Sequence, residues 1–270
     1  MTNGTEQSLM AEMMELEAWA DLMDAMPDET KMMIGGDCSR IDGALSISAR
    51  NIPLVTFNRV MGFGLGRPAD APLLQEIAGH IKRVSAPVAQ VQIAPFATPA
   101  GFETVLANAG FQRAPANWAK MGRKSDASPK VETDVVVELA GVEDAGTFAQ
   151  TVLTGFGMPP FFAPWLSALV GRDRWRCYIA RQDGAVIAGG ALYLGDEAAW
   201  LGVTATLPAA RKHGAQGALL ARRIADAAEF GKPWVFTETG ILDGPNPSLA
   251  NMYRAGFECL HERTNWSLNS

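Results

Sequence analysis

Apolar side chains recur at helical spacing along residues 6–26 (Leu9, Met13, Leu16, Ala20, Met23), acidic residues fill positions between them, and Pro27 ends the pattern. This predicts an amphipathic helix packed through that stripe. Methionine-rich stripes also serve as partner surfaces, but packing on the helix's own domain is their commoner use. Short strands are expected at 32–36, 44–48 and 54–60. A helix is expected over 68–83, with Asp70 as N-cap and Leu73, Leu74, Ile77 and Ile81 on one face. A strand at 89–93 follows, then a helix over 99–109 closed by Gly110.

Residues 123–130 are polar and charged and read as a linker. Beyond them come a strand (131–139), a helix (142–156) and, after Pro159-Pro160, a second helix (161–170). A hairpin (176–181 with 185–194) turns at Asp183-Gly184. Then follow a strand (198–204), a long helix (215–230), a strand (234–239), a helix (247–255) and two strands within 257–268. The halves echo one another. Ala109-Gly110-Phe111 matches Ala255-Gly256-Phe257, each following a short helix and preceding a strand that carries Trp118 or Trp266. The expected organisation is therefore a first unit over 1–122, a linker over 123–130 and a second unit over 131–270.

Composition narrows the function classes. A chain of 270 residues has room for two domains at about 150 residues each. With 48% apolar and 19% charged residues it reads as an ordinary soluble globular protein. The net charge of −6 argues against nucleic acid or an anionic membrane as partner. Cys38, Cys177 and Cys259 are scattered, with no C-x-x-C, so neither a disulfide framework nor a zinc site is expected and a reducing cytoplasm fits. No leader pattern or spanning apolar run is evident. His80, His213 and His261 lack metal-ligand spacing, and no G-x-S-x-G elbow occurs, which sets serine and metal hydrolases aside.

The most informative stretch joins the strand at 198–204 to the helix at 215–230. It reads Pro208-x-x-Arg211-x-x-Gly214-x-Gln216-Gly217. A helix start carries amides with no partner inside the helix and a partial positive charge, which suits phosphate. Neither common nucleotide fingerprint fits the spacing. The stretch resembles the diphosphate loop of the GNAT superfamily of N-acetyltransferases, [Q/R]-x-x-G-x-[G/A], and the order β-α-α-β-β-β-α-β-α-β-β in the second half resembles that family's fold. Two positions depart: Gln216 stands where Gly or Ala is usual, and Thr206 where Val is usual. Asn246-x6-Tyr253 with Gly256-Phe257 resembles the family's N-x6-Y-x3-GF segment, except that Tyr253 lies one residue nearer the glycine.

The resemblance implies an α+β protein of two GNAT-like units, each a mixed, mostly antiparallel sheet flanked by helices. It implies acetyl-CoA as cosubstrate. Thr204, Ala205 and Thr206 would offer strand backbone to pantetheine. Arg211, Lys212, His213, Gly214, Ala215, Gln216 and Gly217 would cradle the diphosphate, and Asn246 would meet the pantetheine region. Tyr253 would protonate the departing thiolate, a thiol of pKa about 8.5. A backbone amide near Thr206 would stabilise the oxyanion. In the first half, Gly62 to Arg67 occupy the place of the phosphate loop without its Arg-x-x-Gly spacing, and Ala100 and Ala107 replace the asparagine and tyrosine, so only the second half is expected to catalyse. Glu238 is a candidate general base, beside a water chain. Residues 155–165 border the acceptor side, which suits an apolar acceptor. The expected activity is acetyl transfer to a primary amine of a small molecule or peptide, with a homodimer admitted as an assembly. The alternatives are a non-catalytic acyl-CoA-binding or protein-interaction module and an acyl group other than acetyl.

Overall fold

The computed structural model describes residues 3–241 and 244–268. The first half contains helices α1 (Asn3–Asp24), α2 (Asp28–Ile34), α3 (Ala71–Arg83) and α4 (Phe102–Asn108). Its strands are β1 (Gly36–Ile41), β2 (Ala44–Ala49), β3 (Arg59–Met61), β4 (Gln90–Ile93), β5 (Phe111–Arg113) and β6 (Asn117–Lys124). The second half contains β7 (Val136–Leu139), α5 (Ala145–Phe156), α6 (Ala163–Ser167), β8 (Trp175–Gln182), β9 (Ala185–Leu194) and β10 (Ala199–Thr206). It closes with α7 (Ala215–Glu229), β11 (Trp234–Ile241), α8 (Pro247–Arg254) and β12 (Glu258–Leu268).

Local chemistry sets many of these boundaries. Asp70 accepts the Leu73 amide at 2.7 Å and starts α3, whose Leu73, Leu74, Ile77 and Ile81 are buried as their spacing predicts. Asp183 and Gly184 both take positive φ, the geometry of a tight hairpin turn. Three expectations fail. Residues 32–36 were expected as a strand, but most of them complete α2, which Asp28 and Glu29 favour from its first turn. The strand expected at 54–60 is a 3₁₀ turn (Val55–Phe57) followed by three residues of β3. The two strands expected within 257–268 are one, the eleven-residue β12.

That long strand explains the sheet. The order is β1-β2-β3-β4-β12-β6-β11-β10-β9-β8-β7, with β5 also on β12. Among the described residues only β3–β4 and β10–β11 are parallel. The first part of β12 pairs with β6, while its last residues pair with β4 and β5. β6, from the first half, lies between β11 and β12. Each half thus lends a strand to the other, and the break expected at 122 falls inside a ladder rather than between two bodies.

Helix α1 lies across the seam and meets β2, β6, β10, β11 and β12. On one face it shares a core with α5 and α6, into which Trp200 and Phe236 point. Their neighbours Ala199, Leu201 and Val235 point the other way, under α7 and α8. A third core lies under α3 and α4. The stripe expected on α1 is partly displaced: Leu9 and Met13 are exposed, whereas Glu12 and Glu15 are buried. The glycine run at 62–67 is a packed corner. A Cβ on Gly64 would come within 2.2 Å of the Ala97 carbonyl, so this corner leaves no such room for a ligand.

Candidate active site

The site begins where β10 and β11 part. They are paired at Ala199–Val235 and Trp200–Phe236, and the Thr237 hydroxyl donates to the Leu201 carbonyl at 2.8 Å. Beyond that point β10 keeps its ladder to β9 only, with a register break between Gly202 and Ala205. Val203 sits in the break at φ 49°. For a β-branched residue this conformation costs about 1–3 kcal/mol and needs support.

Arg223 of α7 supplies that support. It is 1% exposed, and its Nη1 donates to Thr204 Oγ1 at 2.7 Å, to the Ala191 carbonyl at 3.0 Å and to the Gly202 carbonyl at 3.5 Å. Its Nε donates to the Leu219 carbonyl at 3.0 Å. Burial pulls its pKa down to about 10, so the guanidinium stays charged at neutral pH and binds the carbonyl groups around the bulge.

From the bulge the chain passes through a 3₁₀ turn (Pro208–Ala210) into α7. The first α7 hydrogen bond runs from the Ala218 amide to the Gly214 carbonyl at 3.0 Å. The helix therefore leaves the amides of Ala215, Gln216 and Gly217 without a partner inside it. Gly214 takes φ 84°, and a Cβ there would lie 2.7 Å from Thr133 Oγ1, so both backbone and space require glycine. Thr133 Oγ1 donates to the His213 carbonyl at 3.2 Å and steadies the loop. Arg211, Lys212 and His213 are exposed beside it. Arg211 donates to the Gly155 carbonyl at 3.2 Å, and His213 Nδ1 lies 3.3 Å from Gln182 Oε1. The Gln216 carbonyl oxygen accepts from Asn251, which ties α7 to α8.

On α8, Asn246 is the N-cap. It accepts the Leu249 amide at 3.1 Å and donates to the Gly240 carbonyl at 2.6 Å, fixing α8 to the end of β11. Tyr253 is not brought to the cleft: its side chain faces solvent, 52% exposed, while Met252 (5%) lines the cleft. One residue is about 100° of helix, so the one-residue departure from the family spacing turns the tyrosine outward. The α8 hydroxyl that lines the cleft belongs to Ser248, which the sequence reading passed over.

A cleft of about 460 Å³ passes between the parted strands. Thr204, Gln216, Ser248 and Met252 line its α7–α8 end. On the other face stand Trp19 of α1, Phe57, Trp118 of β6, Trp165 of α6 and Trp200 of β10. Glu238 projects into this aromatic end, its side chain 8% exposed. It accepts the Trp200 indole N–H at 2.9 Å, and Lys120 Nζ stands 3.4 Å away. Burial, and then the nearby Glu15 carboxylate, push the Glu238 pKa up.

Behind Glu238 is a buried ionic cluster. Glu15 binds Lys120 and stands 2.6 Å from Arg263 Nη2. Glu12 meets His261 Nε2 at 2.8 Å and Arg263 Nε at 3.6 Å. Burial alone would raise the Glu15 pKa, but Arg263, Lys120 and Arg59 outweigh it and hold the carboxyl at about 2. Periodicity could not reveal these groups, because their partners lie far along the chain: Arg59 is 44 residues from Glu15, and Lys120, His261 and Arg263 are more than a hundred away.

Comparison with known proteins agrees with this geometry. Residues 113–235 match the acetyltransferase (GNAT) domain family. A GCN5-related N-acetyltransferase from Kribbella flavida superposes with a TM-score of 0.58 at 15% identity, covering 90% of this chain and 94% of that one. One from Sphaerobacter thermophilus gives 0.60 at 18% identity, covering 83% and 79%. A tandem GNAT protein from the clavulanic acid biosynthesis pathway gives 0.59 at 17% identity, covering 93% and 94%. A search of curated proteins finds no match to the sequence. The chain thus carries a match to the acetyltransferase (GNAT) domain across its centre and shares the fold of a tandem GNAT structure over nearly its whole length.

Proposed function

We propose that the protein transfers an acetyl group from acetyl-CoA to the primary amine of an acceptor held at the aromatic end of the cleft. The observation that carries this reading is one cleft at the parted strands, reaching Gln216 of the α7 start at one end and the buried Glu238 carboxylate at the other. The residues present fit acetyl-CoA. The edge of β10 beyond Leu201 has no ladder partner on the β11 side and suits an extended amide-bearing chain. The amides of Ala215, Gln216 and Gly217, with Arg211 and Lys212 outside them, suit a diphosphate. Acetyl-CoA supplies an activated acyl group as a thioester.

The chain's own residues handle protons and position. The Glu238 carboxylate accepts the proton of the acceptor amine, and its raised pKa brings it nearer to the pH at which it works. Ser248 takes the proton-donating task that the resemblance assigns to Tyr253. The aromatic walls exclude water from Glu238.

The test is release of free thiol from acetyl-CoA across a panel of primary amines. Amine-dependent release in the native protein, lost in Glu238→Gln, supports the reading. Acetyl-CoA binding by calorimetry with no release for any amine would instead make the chain an acyl-CoA-binding module.

A further inference from the structure

Arg59 of β3 lines the aromatic end of the cleft and is 2% exposed. Its guanidinium lies over the Trp19 ring at 4.4 Å from the centroid and 5.7 Å from that of Trp118. For a buried cation with five donors its hydrogen bonding is poor. Among the described residues its side chain has one hydrogen bond, to Gln92 Oε1 at 3.4 Å, and the Glu15 oxygen on its side stands 3.8 Å away, outside hydrogen-bond range. Among the described residues its Nε has no hydrogen-bond partner, nor has the neighbouring Trp19 Nε1. The other Glu15 oxygen is taken by Lys120 and Arg263. Burial lowers the Arg59 pKa, and Glu15, at ion-pair but not hydrogen-bond distance, offsets this only in part.

We infer that the acceptor is an amine that also carries a carboxylate on a large apolar body, the carboxylate taking the donors of Arg59 and the body lying among Trp19, Trp118 and Trp165. The inference rests on the acetyl-transfer reading and names its substrate class. A neutral acceptor would leave the guanidinium as it stands, whereas a carboxylate matches the planar fork. Glu15 and Glu238 flank the site and oppose a dianion more than a monoanion, so a carboxylate suits it better than a phosphate monoester. The two charges of such an acceptor then meet complementary groups: carboxylate to Arg59, amine to Glu238.

The test follows quenching of tryptophan fluorescence in the full chain, without acetyl-CoA. Phenylalanine, leucine and 3-amino-3-phenylpropanoate are each titrated against their own carboxamides. At least one acid is expected to bind roughly ten- to a hundredfold tighter than its amide, the range for a hydrogen-bonded charged pair. In Arg59→Gln, checked for folding by circular dichroism, the gap is expected to shrink to within about threefold, the loss of that same pair. Equal binding of acid and amide by the native protein overturns the inference without recourse to the variant. So does an absence of binding by every acid in the panel. Failure of the acetyl-transfer reading shows separately, as absent thiol release, and leaves the fluorescence result standing.

Discussion

Lys120 and Glu238 face each other across the β6–β11 ladder, ammonium nitrogen 3.4 Å from carboxylate oxygen, and they come from opposite halves of the chain. The first half therefore supplies the charge next to the proposed base, although it has no phosphate loop of its own. Because the Glu238 pKa is raised, kcat/KM is expected to rise with pH through an acid limb above the ordinary carboxylate range. Glu238→Gln is expected to lower kcat/KM by about 10²–10⁴ and to abolish that limb. Lys120→Met removes the cation beside the base and is expected to move the limb to higher pH. A pH–rate profile unchanged in both variants would end the assignment.

The Glu15 carboxyl titrates at about 2 in the fold, against an ordinary value of 4.5. As pH falls, the unfolded chain takes up this proton first, so the carboxylate's contribution to stability is complete above about pH 4.5 and fades towards pH 2. Glu15→Gln leaves Lys120, Arg263 and Arg59 short of an anion and is expected to cost about 3–5 kcal/mol in denaturant melts. Its stability should also vary less steeply between pH 4.5 and 2.

Arg223 holds the β10 bulge through bonds to carbonyl oxygens and Thr204, not to a carboxylate. Arg223→Lys retains a charge but loses the fork. Calorimetry is expected to show acetyl-CoA bound about tenfold more weakly, the loss of roughly one good hydrogen bond's worth of strand geometry. Unchanged affinity would mean that the bulge holds itself.

Tyr253→Phe is expected to leave kcat and KM unchanged, since the side chain faces solvent. Ser248→Ala is expected to lower kcat by about 10- to 100-fold while leaving acetyl-CoA binding intact. The opposite pattern would return the proton donor to Tyr253.

The crossed strands make a prediction about cutting the chain. Residues 1–130 or 131–270 expressed alone would each expose an unpaired strand and a sheet edge. Neither piece is expected to melt cooperatively by circular dichroism, and co-expression of the two is expected to restore a single transition. A piece that folds alone would show that the exchange is dispensable.

What the sequence discloses is local. The Asp70 cap, the Asp183-Gly184 turn and the helix opening at Gly214 are each set by chemistry within a few residues, and all stand where the pattern puts them. Glu12 and Glu15 mislead because their neighbours in sequence say nothing of Lys120 and Arg263, which make burial tolerable. Tyr253 misleads for a different reason: counting from Asn246 fits the motif, whereas counting back from Gly256 shifts the helix phase by one residue and turns Met252 inward. Arg59 and Trp19 carry no motif at all. They enter the cleft only because α1 and β3 are laid against the other half.

The interlaced sheet also bears on biosynthesis. β6 emerges from the ribosome before either strand that will flank it, and β4 waits for the end of β12. At about 5–20 residues per second the first half spends several seconds with an open edge. An edge of that kind invites pairing with other chains, so translational pausing within the second half is expected to show itself as aggregation of a chain whose finished form is sound.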